Sequence, residues 1–260
     1  MEVKKCKNCT GNGNGVRGHQ LHCPKRMELN KIHNTDCLEF MRNLPDKCID
    51  LILTDPPYLV TSRGSSGNSG GMLQKEINKS GNVFEYNSTN VKDYLPEFYR
   101  VLKDSTHCYI MCNHTNLREM LNTSQEVGFE FTKCLIWDKG NKIMGQFYMS
   151  QFEYILFLRK GEGKKINDCG TSDLIRVENK KIKNKDGSNL HDTEKPVELM
   201  AILIKNSTNE NDIVFDPFMG IGATAIACKM FGRNYIGCEI DKNYYQTSLE
   251  RIKSISSTLF

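Results

Sequence analysis

Short apolar runs alternate with amphipathic segments from residue 32 onward. The apolar runs are rich in β-branched and aromatic residues, which is typical of buried strands; they span Cys48–Thr54, His107–Cys112, Phe129–Trp137, Phe152–Arg159, Asp212–Asp216 and Asn234–Glu239. The intervening segments predict helices at Cys37–Leu44, Val91–Leu102, Asn116–Val127, Val197–Ile204, Thr224–Phe231 and Asn243–Ile255. This alternation predicts an α/β fold with a mostly parallel, doubly wound sheet. The runs at Phe129 and Phe152 are joined without a helix, which predicts an antiparallel hairpin at the sheet edge.

Two stretches break the alternation. In Ser62–Gly71 every residue except Arg63 is Gly, Ser or Asn, so we expect a loop that does not pack into a core. Gly161–Asn189 is polar and rich in lysine.

Basic residues exceed acidic ones by five in residues 1–31 and by four in residues 159–186, although the whole chain has a net charge of only +4. Such uneven charge indicates contact with a polyanion, and two solvated polar segments are the alternative.

Composition excludes several classes of protein. Of the 260 residues, 38% are hydrophobic and 25% are charged, which is ordinary for a globular domain. No apolar run approaches the roughly 20 residues of a membrane helix. The first residues carry no apolar export signal, and most cysteines lie in or beside apolar runs, as buried thiols do. We therefore expect a cytoplasmic protein without a disulfide scaffold.

A glycine-containing turn follows the predicted strand that ends at Asp216. The turn Phe218–Gly222 opens the next predicted helix, and its glycines allow a ligand to approach the backbone closely. Glu239 ends the following strand, at the spacing of a carboxylate that binds ribose hydroxyls. The third glycine of the dinucleotide fingerprint is missing, which favours an adenosine ligand without phosphates. A tight strand-to-helix turn without a ligand is the alternative.

A second turn follows the buried run Leu51–Thr54. Asp55, Pro56, Pro57 and Tyr58 come directly after it, and the two prolines prevent the strand from continuing. The turn therefore presents a carboxylate and an aromatic ring at the carboxyl end of a parallel strand. Open α/β sheets bind their ligands at that edge.

With these motifs the chain resembles the beta group of amino DNA methyltransferases, which use S-adenosylmethionine. The [DNS]PP[YF] turn is Asp55–Tyr58, the FxGxG turn is Phe218–Gly222, and an HPTxKP-like segment is His191–Pro196. The resemblance covers about residues 30–255 and follows the order of the beta group. Asp192 stands where the family usually has proline. The resemblance implies a Rossmann-like methyltransferase fold and methyl transfer to the adenine N6 amino group of a flipped base in duplex DNA.

The resemblance also implies the catalytic roles. The Asp55 carboxylate and the Pro56 carbonyl would accept the two N–H bonds of the target amino group, Pro57 would help to fix the turn, and Tyr58 would stack on the flipped base. Such contacts favour the transition state, in which the amino nitrogen gains positive charge.

Seven residues are implied as cofactor contacts: Asp36, Lys195, Asp216, Phe218, Gly220, Gly222 and Glu239. The glycine turn would wrap the methionine end, with Asp216 near its amino group and Lys195 near its carboxylate. Glu239 would hold the ribose hydroxyls, and Asp36 would lie near the adenine. For Asp36, a helix N-cap is an equally good interpretation.

The first 29 residues lie outside the resemblance and have the spacing of a metal site. The candidate zinc ligands are Cys6, Cys9, His19 and Cys23. His22 is an alternative fourth ligand. A small zinc module is one interpretation of residues 1–29 and a disordered basic tail is the other, whereas residues 30–260 would form the methyltransferase domain.

The resemblance implies double-stranded DNA as partner, with target recognition in residues 160–190. A cognate restriction endonuclease and a homodimer are further expectations. Transfer to cytosine N4 is the first alternative function, and an RNA or protein-glutamine methyltransferase is a second. A catalytically inactive, zinc-bearing DNA-binding protein is the alternative of a different class. An oxidoreductase is disfavoured by the missing third glycine.

Overall fold

The computed structural model describes residues 27–57, 89–143, 148–179 and 194–255, and the statements below concern these ranges. Several sequence interpretations fall outside them. These concern the predicted zinc ligands Cys6, Cys9, His19 and Cys23, the aromatic residue Tyr58, the loop Ser62–Gly71 and the start of the HPTxKP-like segment at His191.

The described residues form eight strands and six helices. The strands are β1 Lys31–His33, β2 Ile49–Thr54, β3 Leu102–Cys112, β4 Glu130–Ile143, β5 Ser150–Lys160, β6 Leu174–Arg176, β7 Ile213–Asp216 and β8 Asn234–Cys238. The helices are α1 Cys37–Arg42, α2 Val91–Val101, α3 Leu117–Val127, α4 Val197–Ser207, α5 Ala223–Met230 and α6 Lys242–Ser254. Within these ranges, no helix is both long and apolar enough to cross a membrane.

The strands form one sheet in the order β1-β8-β7-β2-β3-β5-β4-β6. Strand β5 is antiparallel to both of its neighbours, and the other paired strands are parallel. From β2 the chain proceeds to β3 on one side, whereas from β7 it proceeds to β8 on the other. The carboxyl ends of β2 and β7 therefore flank the point where the strand order reverses, which is where such sheets bind ligands.

Both faces of the sheet are buried, because apolar residues of β2 alternate between two cores. Leu51 and Leu53 belong to the same cluster as Leu203 of α4. Ile52 belongs to the opposite cluster, together with Phe98 of α2. Burial on both faces explains why the strand is a continuous apolar run, and it confirms the predicted α/β architecture.

The structure differs from the sequence prediction at two short strands. Strands β1 and β6 have three residues each, which is too short for a recognisable pattern. Strand β6 pairs with β4 and forms the outer edge, so the antiparallel hairpin lies one strand inside the edge and not at it. Part of the polar segment 160–190 is therefore built into the sheet.

Candidate active site

The two turns predicted from the sequence lie at adjacent strand ends. Strands β2 and β7 are parallel neighbours, with Ile52 opposite Phe215. Beyond this pair, Thr54 Oγ1 donates a hydrogen bond of 2.7 Å to Asp216 Oδ1. Asp55 follows Thr54, and the glycine turn follows Asp216. Both therefore open into the same crevice at the strand ends.

Asp216 is buried and ties the glycine turn together. Its carboxylate accepts hydrogen bonds from the Thr54 hydroxyl, from the Thr224 hydroxyl at 2.6 Å, and from the backbone N–H of Phe218 at 3.1 Å. Burial raises the pKa of Asp216 to about 6, although these hydrogen bonds lower it. The side chain thus connects the start of helix α5, the glycine turn and the end of β2.

The glycine turn requires its glycines. Gly220 has a φ of +55° and Gly222 a φ of +90°, in the left-handed region that residues with a side chain disfavour. A Cβ on Gly222 would also lie 3.2 Å from the Cβ of Ser248. The turn can therefore pack closely against helix α6 because Gly222 has no side chain.

Glu239 lies directly beside the glycine turn. Its Oε2 accepts a hydrogen bond from the Gly220 N–H at 2.8 Å, and its Oε1 accepts one from the Asp241 N–H at 2.8 Å. Burial raises the pKa of Glu239 to about 7, and the two backbone hydrogen bonds oppose that shift. The sequence-predicted pair of glycine turn and acid is therefore brought together.

Asp36 caps helix α1. Its Oδ1 accepts hydrogen bonds from the backbone N–H groups of Leu38 at 2.9 Å and Glu39 at 3.0 Å, as the N-cap interpretation predicts. Nearby, Asn34 Nδ2 donates to the backbone carbonyl of Glu239 at 2.8 Å. Sequence reasoning missed Asn34, which joins the Asp36 loop to the end of β8.

Lys195 lies against Asp55, the first residue of the predicted catalytic turn Asp55–Tyr58, which is called the catalytic turn below. Its ammonium group forms an ion pair with Asp55, and only 5% of the Lys195 side chain is exposed. The sequence resemblance implied a position near the cofactor's carboxylate for Lys195, and in the structure its charge is engaged by Asp55. A second carboxylate, Glu153, lies 3.4 Å from the same ammonium group and was not anticipated from the sequence. The available signal was a charged residue within the apolar run of β5.

A second ion pair fixes the segment that carries Lys195. Arg251 of α6 contacts Glu194 at 2.7 Å, and it donates to the carbonyl of Ile221 in the glycine turn at 2.7 Å. Lys195 is therefore anchored to the glycine turn on one side and to the Asp55 turn on the other.

The comparisons with known proteins agree with this geometry. A family model described as DNA methylase, of the N6/N4 methyltransferase type, matches residues 49–250. The type II methyltransferase M.HinfI of Haemophilus influenzae is 28% identical over 249 residues, which cover 87% of this chain and 69% of that protein.

Solved structures show the same fold. The crystal structure of the M1.HpyAVI–SAM complex matches with a TM-score of 0.63 and 24% identity, over 85% of this chain and 98% of that one. The PvuII DNA methyltransferase, described as cytosine-N4-specific, matches with a TM-score of 0.65 and 17% identity, over 88% of this chain and 87% of that one. Since the family model spans most of the sequence, the chain belongs to the N6/N4 family of DNA methylases and is a DNA methyltransferase.

Proposed function

We propose that this protein transfers a methyl group from S-adenosylmethionine to the N6 amino group of an adenine flipped out of duplex DNA at a specific sequence. The observation that carries the proposal is the hydrogen bond between Thr54 and Asp216, because it joins the Asp55 turn to the glycine turn. A methyl acceptor held by one turn would therefore meet a methyl donor held by the other.

Three observations support S-adenosylmethionine as the ligand of the glycine turn. Gly220 and Gly222 hold the glycine turn in a left-handed path, and Gly220 has no side chain that would keep a ligand from the backbone. The half-buried Glu239 carboxylate lies beside them and could accept hydrogen bonds from ribose hydroxyls. At the end of the adjacent β1, His33 Nε2 is buried without a hydrogen-bond partner in the described part of the chain, and a bound ligand could supply one. When bound, S-adenosylmethionine supplies an activated methyl group on a positively charged sulfur.

The chain's own residues would orient the acceptor. An exocyclic amine is a weak nucleophile because its lone pair is delocalised into the ring. The Asp55 carboxylate and the Pro56 carbonyl would accept its two N–H bonds, which favours the pyramidal nitrogen that attacks and gains positive charge. Tyr58 would stack on the flipped base and hold it in line.

Cytosine N4 is the alternative acceptor. The family includes both specificities, and the structural match to a cytosine-N4-specific enzyme keeps this alternative open. An Asp-first turn is commoner among adenine enzymes of the family that the chain resembles, which supports adenine. Single-molecule sequencing of DNA from cells that express the protein tests this directly. Modified adenines in one sequence context are expected, and modified cytosines alone would overturn the adenine assignment.

Target recognition by residues 160–190 is part of the proposal. Arg176 of β6 supports it, because its side chain is 73% exposed and its Nε is held by Asp138 Oδ2 at 2.9 Å. An exposed guanidinium with a fixed orientation suits contact with a DNA phosphate or base edge.

Two partners and a metal complete the proposal. The likeness to a type II methyltransferase supports a cognate restriction endonuclease. An extract of the source cells that cleaves unmodified DNA, but not DNA methylated by this protein, would reveal that endonuclease.

A homodimer would be detected by sedimentation of the full chain. For the candidate zinc site at Cys6, Cys9, His19 and Cys23, metal analysis of the purified protein should find about one zinc per chain.

A further inference from the structure

Four charged side chains of alternating sign lie in a row at the catalytic turn. Lys139 Nζ is 3.1 Å from Glu153 Oε1, and Glu153 Oε2 is 3.4 Å from Lys195 Nζ. Lys195 in turn forms the ion pair with Asp55. The row contains two lysines and two carboxylates, so its charges cancel.

The reversed direction of β5 explains why Glu153 reaches this site. The parallel strands end at the carboxyl edge of the sheet, whereas the antiparallel β5 begins there. Glu153, near the start of β5, pairs with Trp137 of β4. Trp137 is buried and fixed by a hydrogen bond of 2.9 Å from its Nε1 to the carbonyl of Val177. The ammonium groups of Lys139 and Lys195 each lie 5.9 Å from the centroid of its ring, within the range of cation–π attraction.

Little water reaches the row. The exposed fractions of the side chains are 7% for Lys139, 20% for Glu153, 5% for Lys195 and 19% for Asp55. Burial raises the pKa of Glu153, but the two lysines outweigh that effect and the pKa lies below its usual value. In such surroundings, removing one charge leaves its partner uncompensated, and the field acts on neighbouring groups with little screening.

We propose that Glu153 is a positioning residue for methyl transfer, which acts through Lys195 on Asp55. The proposal rests on the proposed function, in which Asp55 accepts the amino group of the target base. The single negative charge of Glu153 offsets one of the two ammonium charges in the row, so the net positive charge that acts on Asp55 is that of one lysine. The negative charge of Asp55 is therefore left to act on the amino nitrogen as that atom gains positive charge. Without Glu153 the row carries one excess positive charge, which opposes the same transition state.

The test uses the full chain, unmethylated plasmid DNA and S-adenosylmethionine with a labelled methyl group. Glu153→Gln should lower kcat by about 10²-fold, as expected when a reacting group is misaligned or its field is opposed. The dissociation constant for S-adenosylmethionine, from isothermal titration, should change by no more than about twofold because Glu153 acts on the acceptor side.

A second variant separates charge balance from packing. Lys139→Met/Glu153→Gln removes one charge of each sign, so the row is again neutral. Its kcat should recover to within about fivefold of the wild type, a non-additive result that coupled residues produce. Lys47→Met/Asp104→Asn, which removes an exposed ion pair before β2 and in β3, is the matched control and should leave kcat unchanged.

The kcat values of the two variants decide whether Glu153 acts through the charge balance of the row. A Glu153→Gln enzyme with wild-type kcat, or a double variant as slow as Glu153→Gln or slower, overturns the proposal. If circular dichroism finds Glu153→Gln unfolded, the double variant carries the test, and a folded but inactive double variant overturns it. Full activity of Asp55→Ala would instead refute the proposed function on which the proposal rests.

Discussion

The Thr54 hydroxyl donates a hydrogen bond of 2.7 Å to Asp216, and this contact joins the ends of β2 and β7. The two residues are 162 positions apart in sequence, so the contact closes a long loop of chain. The Asp55 turn begins one residue after Thr54, and the glycine turn begins two residues after Asp216. Because this contact joins the two turns, we expect the relative positions of methyl donor and methyl acceptor to depend on it.

Replacing Thr54 by valine tests this link. The substitution keeps the side-chain shape but leaves a buried carboxylate oxygen with one hydrogen bond fewer, which should cost about 1–3 kcal/mol of unfolding free energy. Urea denaturation measures this loss. Thr106→Val is the control. It removes a hydroxyl that donates to the backbone carbonyl of Lys103 near the amino end of β3, away from the two turns. Equal stability of the Thr54→Val and wild-type proteins would contradict the account.

The contribution of Glu239 to the stability of the protein should fall as pH rises toward neutrality. The folded-state pKa of Glu239 is raised from 4.5 to about 7, so the folded state binds the proton more tightly than the unfolded state does. This contribution is fully present below pH 4.5 and is lost as pH rises through about 7, by at most about 3 kcal/mol. Asp216, whose pKa is raised to about 6, acts in the same direction.

Glu239→Gln should flatten this profile between pH 4.5 and about 7, as followed by urea denaturation at a series of pH values. The change due to Asp216 should remain, because that carboxylate is still buried. An identical pH profile in the variant would mean that the Glu239 pKa is not raised in the folded protein.

Cofactor affinity should show the opposite dependence on pH. An ionised carboxylate accepts hydrogen bonds from ribose hydroxyls better than a protonated one does. Since the pKa of Glu239 is about 7, affinity for S-adenosylmethionine should rise between pH 6 and pH 8. Isothermal titration measures this change. Glu239→Ala should bind weakly at every pH, and unchanged affinity in that variant would remove Glu239 from the cofactor site.

Arg176→Ala tests the proposed DNA contact. If the guanidinium binds a phosphate, the variant should bind DNA more weakly, and the slope of log affinity against log salt should decrease by about 1. Fluorescence anisotropy with labelled duplex DNA at several salt concentrations measures both. Lys133→Ala is the control, because Lys133 is an exposed residue near the amino end of β4, away from the catalytic turn. A salt slope equal to that of the wild type would exclude a phosphate contact by Arg176.

Much of the fold could be predicted from the sequence because burial on both sheet faces produces long apolar runs. Of the elements in the described ranges, all six helices and six of the eight strands were predicted. Strands β1 and β6 were not predicted, because three residues are too few to show the alternation of buried and exposed positions that marks a strand. The glycine turn and Glu239 were paired correctly because their spacing reflects one local βαβ unit.

The charged row could not be predicted in the same way. The partner of Lys195 depends on which loop the sheet brings beside the Asp55 turn, and this is a long-range property. Glu153 reaches the site because β5 runs in reverse, and the run Phe152–Arg159 alone does not specify that direction. The sequence signal was a lone carboxylate in an apolar strand, which indicates a buried partner but not its identity.

The most direct test of the central claim compares wild-type protein with Asp55→Ala. Each is incubated with unmethylated DNA and S-adenosylmethionine carrying a deuterated methyl group, and the nucleosides are analysed by mass spectrometry. Wild-type protein should produce deuterated N6-methyladenine. Asp55→Ala should produce none, although isothermal titration should find that it still binds S-adenosylmethionine. Normal yields of methylated base from Asp55→Ala would contradict the claim that the Asp55 turn performs the transfer.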